Sequence, residues 1–375
     1  MQRRTKLTLA GLGVTALAAA LLPAAPAAAT GTTTGTAGPT VVVKGLNNPR
    51  QISVTDTGGL LVAEAGRGGA QCVAAPGGET ANETCIGYTG SVSWVPFPAV
   101  QQGSTPIRVL TGLLSGANPK GASATGSQAV AGNLLDIQVA VVDEPHVAVP
   151  ESIDKSTYGT LLQSRLLGKP RIVADIAAYE YAQDPDGQLP ESNPYALLEL
   201  PGRTLIADAA ANDVLQWRNG RLSTFAVLPN IQDGLCAGKP NDNGTTGCDP
   251  VPTGLTVDRA GAIYVSALGN FSPNSGRIYK LDGRTGKVLQ VWGDLTGVTS
   301  VAIDRHGALY ASQLFAGKVT KIGRDGTRTD LSVPFPAGLA ISGDTLYVAA
   351  YSTAPETGLG LPDVDSSGQV WRFRI

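Results

Sequence analysis

Gly254-Leu255-Thr256-Val257-Asp258-Arg259-Ala260-Gly261-Ala262-Ile263-Tyr264-Val265-Ser266 alternates apolar and polar residues on both sides of a tight Asp/Gly turn. Two antiparallel strands with a buried face read this way. The pattern returns at Ser300-Val301-Ala302-Ile303-Asp304-Arg305-His306-Gly307-Ala308-Leu309-Tyr310-Ala311-Ser312, and again at Gly338-Leu339-Ala340-Ile341-Ser342-Gly343-Asp344-Thr345-Leu346-Tyr347-Val348-Ala349. Each copy is followed by a further strand, such as the Gly-led run Gly276-Arg277-Ile278-Tyr279-Lys280-Leu281. Short strands in such a unit, recurring every ~40–50 residues, are the signature of propeller blades.

Working outward, the third blade runs from Ala196–Leu200 through Leu205–Asp208 and Val214–Trp217 to Ser223–Val227. The first begins at Gln51–Val54 and Leu60–Ala63, with Gly90–Val95 and Ile107–Leu110 as outer strands. The second is degenerate: its candidates are Leu135–Val139, His146–Val149, Thr160–Leu162 and Arg171–Ala174, ending in a short helix around Asp175–Tyr181. The last blade supplies three strands before the end at Val370–Ile375, whereas Thr40–Leu46 is a β-branched strand without a hairpin partner. Pairing the two would remove an open edge. The sequence therefore predicts an all-β, six-bladed β-propeller over 40–375, closed by an N-terminal strand that completes the last blade.

Arg3, Arg4 and Lys6 precede an apolar stretch to Leu22, and Ala27-Ala28-Ala29 offers a small-residue cleavage site. This predicts a cleaved signal peptide over 1–29, a flexible Gly/Thr/Ala leader over 30–39 and a secreted protein. Arg3-Arg4 leaves general and twin-arginine export both open. The region is diluted by Ala and Gly and broken by Pro23 and Pro26, so no membrane span is expected there. The formal charge is −2, and losing the signal peptide with Arg3, Arg4 and Lys6 makes the remainder more acidic, which disfavours nucleic acid. With 42% apolar and 15% charged residues the chain can fill a core.

Four cysteines in an exported chain suggest two local disulfides, Cys72 with Cys85 and Cys236 with Cys248. A zinc site would want closer Cys-x-x-Cys pairs.

Several short elements together resemble the ScyD/ScyE family of exported propellers: Gly45-Leu46-Asn47-Asn48-Pro49-Arg50, Ala177-Ala178-Tyr179-Glu180 with Asp184-Pro185-Asp186-Gly187, Glu191-Ser192-Asn193-Pro194-Tyr195, and Asn212-Asp213-Val214-Leu215. More remotely the chain is similar to NHL-repeat and gluconolactonase-like six-bladed propellers. The resemblance implies fold and export. It carries no catalytic motif across.

Strand parity puts the loops entering each inner strand and the loops between second and third strands on one rim. The former carry Asn47, Asn48, Arg50, Asn193 and Tyr195; the latter carry Glu64, Glu151, Asp208, Asn212, Asp213, Gln313 and Tyr351. Glu64, Asn193, Asp208, Asn212 and Asp213 are the candidate ligand-binding residues, and convergent oxygens could hold Ca²⁺; turn Asn and Asp also bond their own backbone. Asp363-Val364-Asp365-Ser366-Ser367-Gly368 opens like a calcium loop, but Arg374 stands at its twelfth position, so a plain turn is expected. Of the two histidines, His306 lies in a turn, while His146 has no nucleophile elbow to serve.

Two classes remain open. One is a monomeric module that binds a small molecule or an extracellular protein. The other is a metal-assisted hydrolase or lactonase of gluconolactonase type, for which fold analogy is a weak warrant.

Overall fold

The computed structural model describes residues 38–74, 83–96, 104–143 and 149–375. The signal-peptide expectation, most of the leader and His146 lie outside them. The described chain is all-β in a propeller arrangement. It starts with β1 (Thr40–Leu46), β2 (Pro49–Val54), β3 (Leu60–Glu64), β4 (Gln71–Val73), β5 (Thr84–Val95) and β6 (Ile107–Ala117). Next come β7 (Thr125–Asn133), β8 (Asp136–Val141), β9 (Thr160–Ser164), β10 (Arg171–Asp175) and the helix α1 (Ile176–Gln183). Two regular meanders follow: β11 (Pro194–Leu200), β12 (Arg203–Asp208), β13 (Asp213–Arg218) and β14 (Arg221–Val227), then β15 (Pro252–Val257), β16 (Ile263–Ala267), β17 (Gly276–Leu281) and β18 (Val288–Leu295). The chain finishes with β19 (Val298–Ile303), β20 (Leu309–Gln313), β21 (Lys318–Ile322), β22 (Arg328–Ser332), β23 (Leu339–Ser342), β24 (Thr345–Ala350) and β25 (Gly368–Arg374).

β11–β14, β15–β18 and β19–β22 each form a four-stranded antiparallel sheet in chain order. A fourth sheet has the order β1-β25-β24-β23; β1 runs antiparallel to β25 from Thr40 opposite Arg372 to Leu46 opposite Gly368. The remaining nine strands form one sheet, in which, among the described residues, the two halves pair as strands only through β6 and β7, at Ser115 opposite Gly126 and Gly116 opposite Thr125. The innermost strands touch in cyclic order: β2 against β7, β7 against β11, and so on through β15, β19 and β23 back to β2.

The cassette has a specific cause. Asp258 Oδ1 accepts the N–H groups of Ala260 and Ala262, both at 2.9 Å, and its Oδ2 accepts the Tyr264 hydroxyl at 3.2 Å. Asp304 repeats the arrangement with His306 and Ala308 N–H at 2.8 and 2.9 Å and Tyr310 at 3.3 Å. A lysine of the third strand lies over each tyrosine ring, Lys280 at 5.3 Å and Lys321 at 5.5 Å. The aspartate thus satisfies the turn while the tyrosine fixes the second strand, which is wholly buried in both β16 and β20. Outer strands such as β22 are mostly exposed.

Apolar clusters lie between sheets: Leu205 and Val214 pack with Leu255 and Val265, and Tyr310 and Val319 with Leu346 and Val348. Toward the axis the backbones close in. A Cβ on Gly254 would fall 2.8 Å from Ser300 Cα, so this inner strand approaches its neighbour as only glycine permits. Thr253 Oγ1 donates to Val298 O at 2.7 Å, Gly338 N to Arg50 O at 3.1 Å, and Gln51 reaches both Val130 N and Leu197 N.

The degenerate region departs from the expectation above. Its inner strand is β7, Thr125–Asn133, and the run expected to be inner, Leu135–Val139, falls on the turn and on β8 beside it. Val149 belongs to no strand, and 146–148 lie outside the described residues. β7 is mostly Gly, Ser and Ala, buried by close neighbours rather than by branched side chains, so it carries little strand signal. Its turn also replaces Asp with Asn133, whose Oδ1 accepts from Leu135 N at 2.9 Å and Asp136 N at 3.2 Å. Both proposed disulfides are present, with no free cysteine among the described residues. No helix of the described residues is long and apolar enough to cross a membrane.

Candidate functional site

The β12–β13 hairpin sets Asp208 and Asp213 directly opposite each other, and both are 0% exposed. Like charges in that register repel. Asp208 is anchored: its Oδ2 accepts the Ser192 hydroxyl at 2.5 Å, and its Oδ1 accepts Asn193 N at 2.5 Å and, at a long 3.5 Å, Ala211 N. Burial pushes its carboxyl up to about 6 in spite of those donors. Asp213 has none, since neither of its oxygens has a hydrogen-bond partner. Burial first, then the charges of Asp208, Glu180 and Asp186, hold it well above the carboxylate range.

α1 delivers the other wall. Asp175 caps its start by accepting Ala178 N at 2.8 Å, and Asp184 ends it at φ 42°, donating its N–H to Glu180 O. The last turn carries no basic residue, so Glu180, Asp184 and Asp186 gather at the negative end of the helix dipole. Glu180 is 0% exposed and both its oxygens lack partners. Burial, then Asp208, Asp186 and Asp184, push it up to about 8. Asp186 is half-buried and tied down: Gln188 N and Nε2 donate to it at 2.9 and 3.0 Å, and Asn212 Nδ2 at 3.0 Å. Burial still raises it, against those bonds.

An unpartnered buried carboxylate is costly, and none of the electrostatic contributions to these shifts comes from a cation. In this cluster six buried oxygens are without a hydrogen-bond partner among the described residues: both of Glu180, both of Asp213, Asp184 Oδ1 and Gln188 Oε1. Ligand oxygens of Glu180, Asp184 and Asp186 all lie within 4.8 Å of one another. Oxygens on opposite sides of a Ca²⁺ ion are separated by about that distance, twice a bond of about 2.4 Å. The donor set is all oxygen, which suits Ca²⁺ or Mg²⁺ rather than a soft metal.

Of the sequence-derived candidates, Asn193, Asp208, Asn212 and Asp213 are brought together here. Asn193 contributes its backbone N–H and spends its side-chain carbonyl on Gln128 at 2.9 Å. Asn212 orients Asp186. Glu64 is committed elsewhere. It is buried at the end of β3, accepting from Asn47 N at 2.7 Å, Ser91 and Ser93 hydroxyls at 3.1 and 2.5 Å, and Arg108 at 3.0 Å. Arg108 also meets Glu356 at 3.2 Å, and Glu356 meets Arg67 at 2.8 Å, so Glu64 roots an ion-pair network. Asp365 of the calcium-like stretch accepts Ser367 N and Oγ at 3.2 and 2.7 Å and pairs with Lys44 at 3.3 Å, as a turn does.

Glu180, Asp184 and Asp186 were not among the candidates. Their signal was present: carboxylates four residues apart at a helix end, then Asp-Pro-Asp-Gly, with no Lys or Arg to neutralise them.

No protein-family model and no curated protein matches the chain. Among solved structures it is similar to a streptogramin B lyase, at 12% identity over 90% of this chain and 96% of that one, TM-score 0.48. It is also similar to the PQQ-bound aldose sugar dehydrogenase of Streptomyces coelicolor, at 11% identity over 89% and 96%, TM-score 0.48. A gluconolactonase-like protein is 13% identical over 91% and 93%, TM-score 0.44. Likenesses at this level assign no residue a role.

Proposed function

We propose that this chain is a secreted β-propeller binding module whose rim site holds one divalent cation, Ca²⁺ in the first instance, on Glu180, Asp184 and Asp186, with Asp213 and Gln188 as further oxygen donors. The observation that carries this reading is that Glu180 and Asp213 are fully buried yet their carboxylate oxygens have no hydrogen-bond partner among the described residues. Such groups either take up protons or share a cation. Asp208 sits behind them on Ser192 and Asn193 and keeps its hairpin end fixed.

The same reading counts six blades, dividing the nine-stranded sheet at its weak β6–β7 seam, and gives β1 the role of ring closure. The cyclic contacts of the inner strands and the β1–β25 register support it. The two disulfides are consistent with an extracellular setting. Kinship with ScyD/ScyE propellers rests on the short elements quoted above. The partner met by the rim would be a small molecule or an extracellular protein, and the hydrolase alternative applies if the cation keeps a position open to a substrate.

Calorimetric titration of chelator-treated protein with Ca²⁺ at pH 7.5 tests the proposal. One site is expected, and Glu180→Gln with Asp213→Asn should abolish it while leaving the far-UV spectrum unchanged. Absence of binding to the wild type, or undiminished binding to the double variant, would overturn it.

A further inference from the structure

Between β14 and β15 the chain makes a long excursion closed by Cys236–Cys248. The excursion is held by its own bonds. Ile231 and Cys248 exchange backbone hydrogen bonds at 2.8 and 3.0 Å, Gln232 Nε2 donates to Thr246 O at 2.6 Å, and Asn241 Nδ2 donates to Asp249 Oδ1 at 2.7 Å. Ile231, Cys236 and Cys248 form a small buried cluster.

This loop meets the acidic site twice. At its tip, Asn243 stands at φ 51° and donates from Nδ2 to both Gly187 O and Gln188 O, the latter at 2.9 Å. Those carbonyls follow Asp186 directly. At the loop's exit, Val251 N donates to Asn212 Oδ1 at 3.2 Å, and the Asn212 amide then donates to Asp186 Oδ2 at 3.0 Å. One contact clasps the backbone of the Asp184–Gln188 turn. The other fixes the rotamer of the residue that aims the Asp186 carboxylate.

We infer that the disulfide-closed loop is the positioning wall of the cation site, and that Asn243 is a positioning residue that presents Asp184, Asp186 and Gln188 to the ion. This rests on the cation reading above and adds to it a part of the chain that touches no ion. The physical reason is preorganisation. Acidic side chains crowded at a helix C-terminus oppose one another's ionisation, and a turn free to move would spread them apart in the empty state. A clasp bonding to backbone carbonyls holds them close without adding charge. Partners that orient ligands in this way typically affect metal affinity by about 10–100-fold when removed.

The test compares Asn243→Gly with wild type, the Cys236→Ser/Cys248→Ser double variant and, as a control, Cys72→Ser/Cys85→Ser. Glycine tolerates the left-handed backbone that Asn243 adopts, so this substitution removes the amide and little else. Ca²⁺ dissociation constants are measured by titration, and thermal midpoints are measured in chelator. Asn243→Gly should weaken Ca²⁺ binding about 10-fold or more while its chelator midpoint stays near wild type. The Cys236/Cys248 variant should weaken binding at least as much, whereas the Cys72/Cys85 control should keep wild-type affinity. Wild-type affinity in Asn243→Gly overturns the positioning role and leaves the cation site standing. An equal loss in the Cys72/Cys85 control also overturns it, because general loosening would then explain the effect. If the wild type itself binds no Ca²⁺, both the site and its wall are refuted.

Discussion

Replacing Glu180 by Gln keeps the shape of the side chain and deletes the charge that burial opposes most plainly. A carboxyl raised from 4.5 to about 8 is protonated in the native state over a range where the unfolded chain has already released its proton. The stability this gives the cation-free native state is complete below about pH 4.5 and is lost as pH rises through about 8. Each pH unit in that window is worth about 1.4 kcal/mol, so the whole window would amount to about 5 kcal/mol. Local relaxation and water entry reduce this to on the order of 2–4 kcal/mol. Without this penalty, Glu180→Gln in chelator should be more stable than wild type at pH 8, and most of the difference should be gone near pH 5. For a chain of this size that is a rise of several degrees in the midpoint. Added Ca²⁺ should narrow or reverse the difference at pH 8 by stabilising the wild type more than a variant that has lost one ligand. Scanning calorimetry at both pH values, with chelator and with Ca²⁺, reads all four states. A lower midpoint for the variant at pH 8 in chelator, or the same shift at pH 5, would show that Glu180 is not held as an uncompensated carboxyl.

Two further outcomes follow from the packing. Arg108→Ala leaves Glu64 buried with only Asn47 and the two serines, and should destabilise the domain by about 2–4 kcal/mol, read as a lower denaturant midpoint with Ca²⁺ affinity intact. Removing residues through Leu46 strips β25 of its partner along the whole register and should lower the thermal midpoint strongly and promote association through the bared edge; an unchanged midpoint would contradict the closing role given to β1.

The regular sheets were legible because their chemistry repeats. Asp258 with Tyr264 and Asp304 with Tyr310 make the same turn, and a motif built the same way twice is visible as a spelling. β7 was not legible, since its Gly-Ser-Ala run gains its burial from neighbours distant in sequence, and exposed Leu135 at its turn imitates the start of a strand. At the site, Asp208 and Asp213 stand opposite each other because they flank the loop of one hairpin, which a sequence reading can place without knowing the rest of the fold. Glu64 was a candidate by strand parity, yet its environment depends on Arg108 from another strand of its sheet, which parity does not specify. Glu180, Asp184 and Asp186 were hidden for the opposite reason. A helix end shows which residues are adjacent, but not that the β12–β13 hairpin comes to face them and removes their water.

Crystals grown in chelator and soaked with Mn²⁺ as an anomalous scatterer for the Ca²⁺ site should show one strong anomalous peak, within bonding distance of oxygens from Glu180, Asp184 and Asp186 and removed by competing Ca²⁺. An empty map at that position in well-soaked crystals, with the carboxylates still unpartnered, would contradict the cation site.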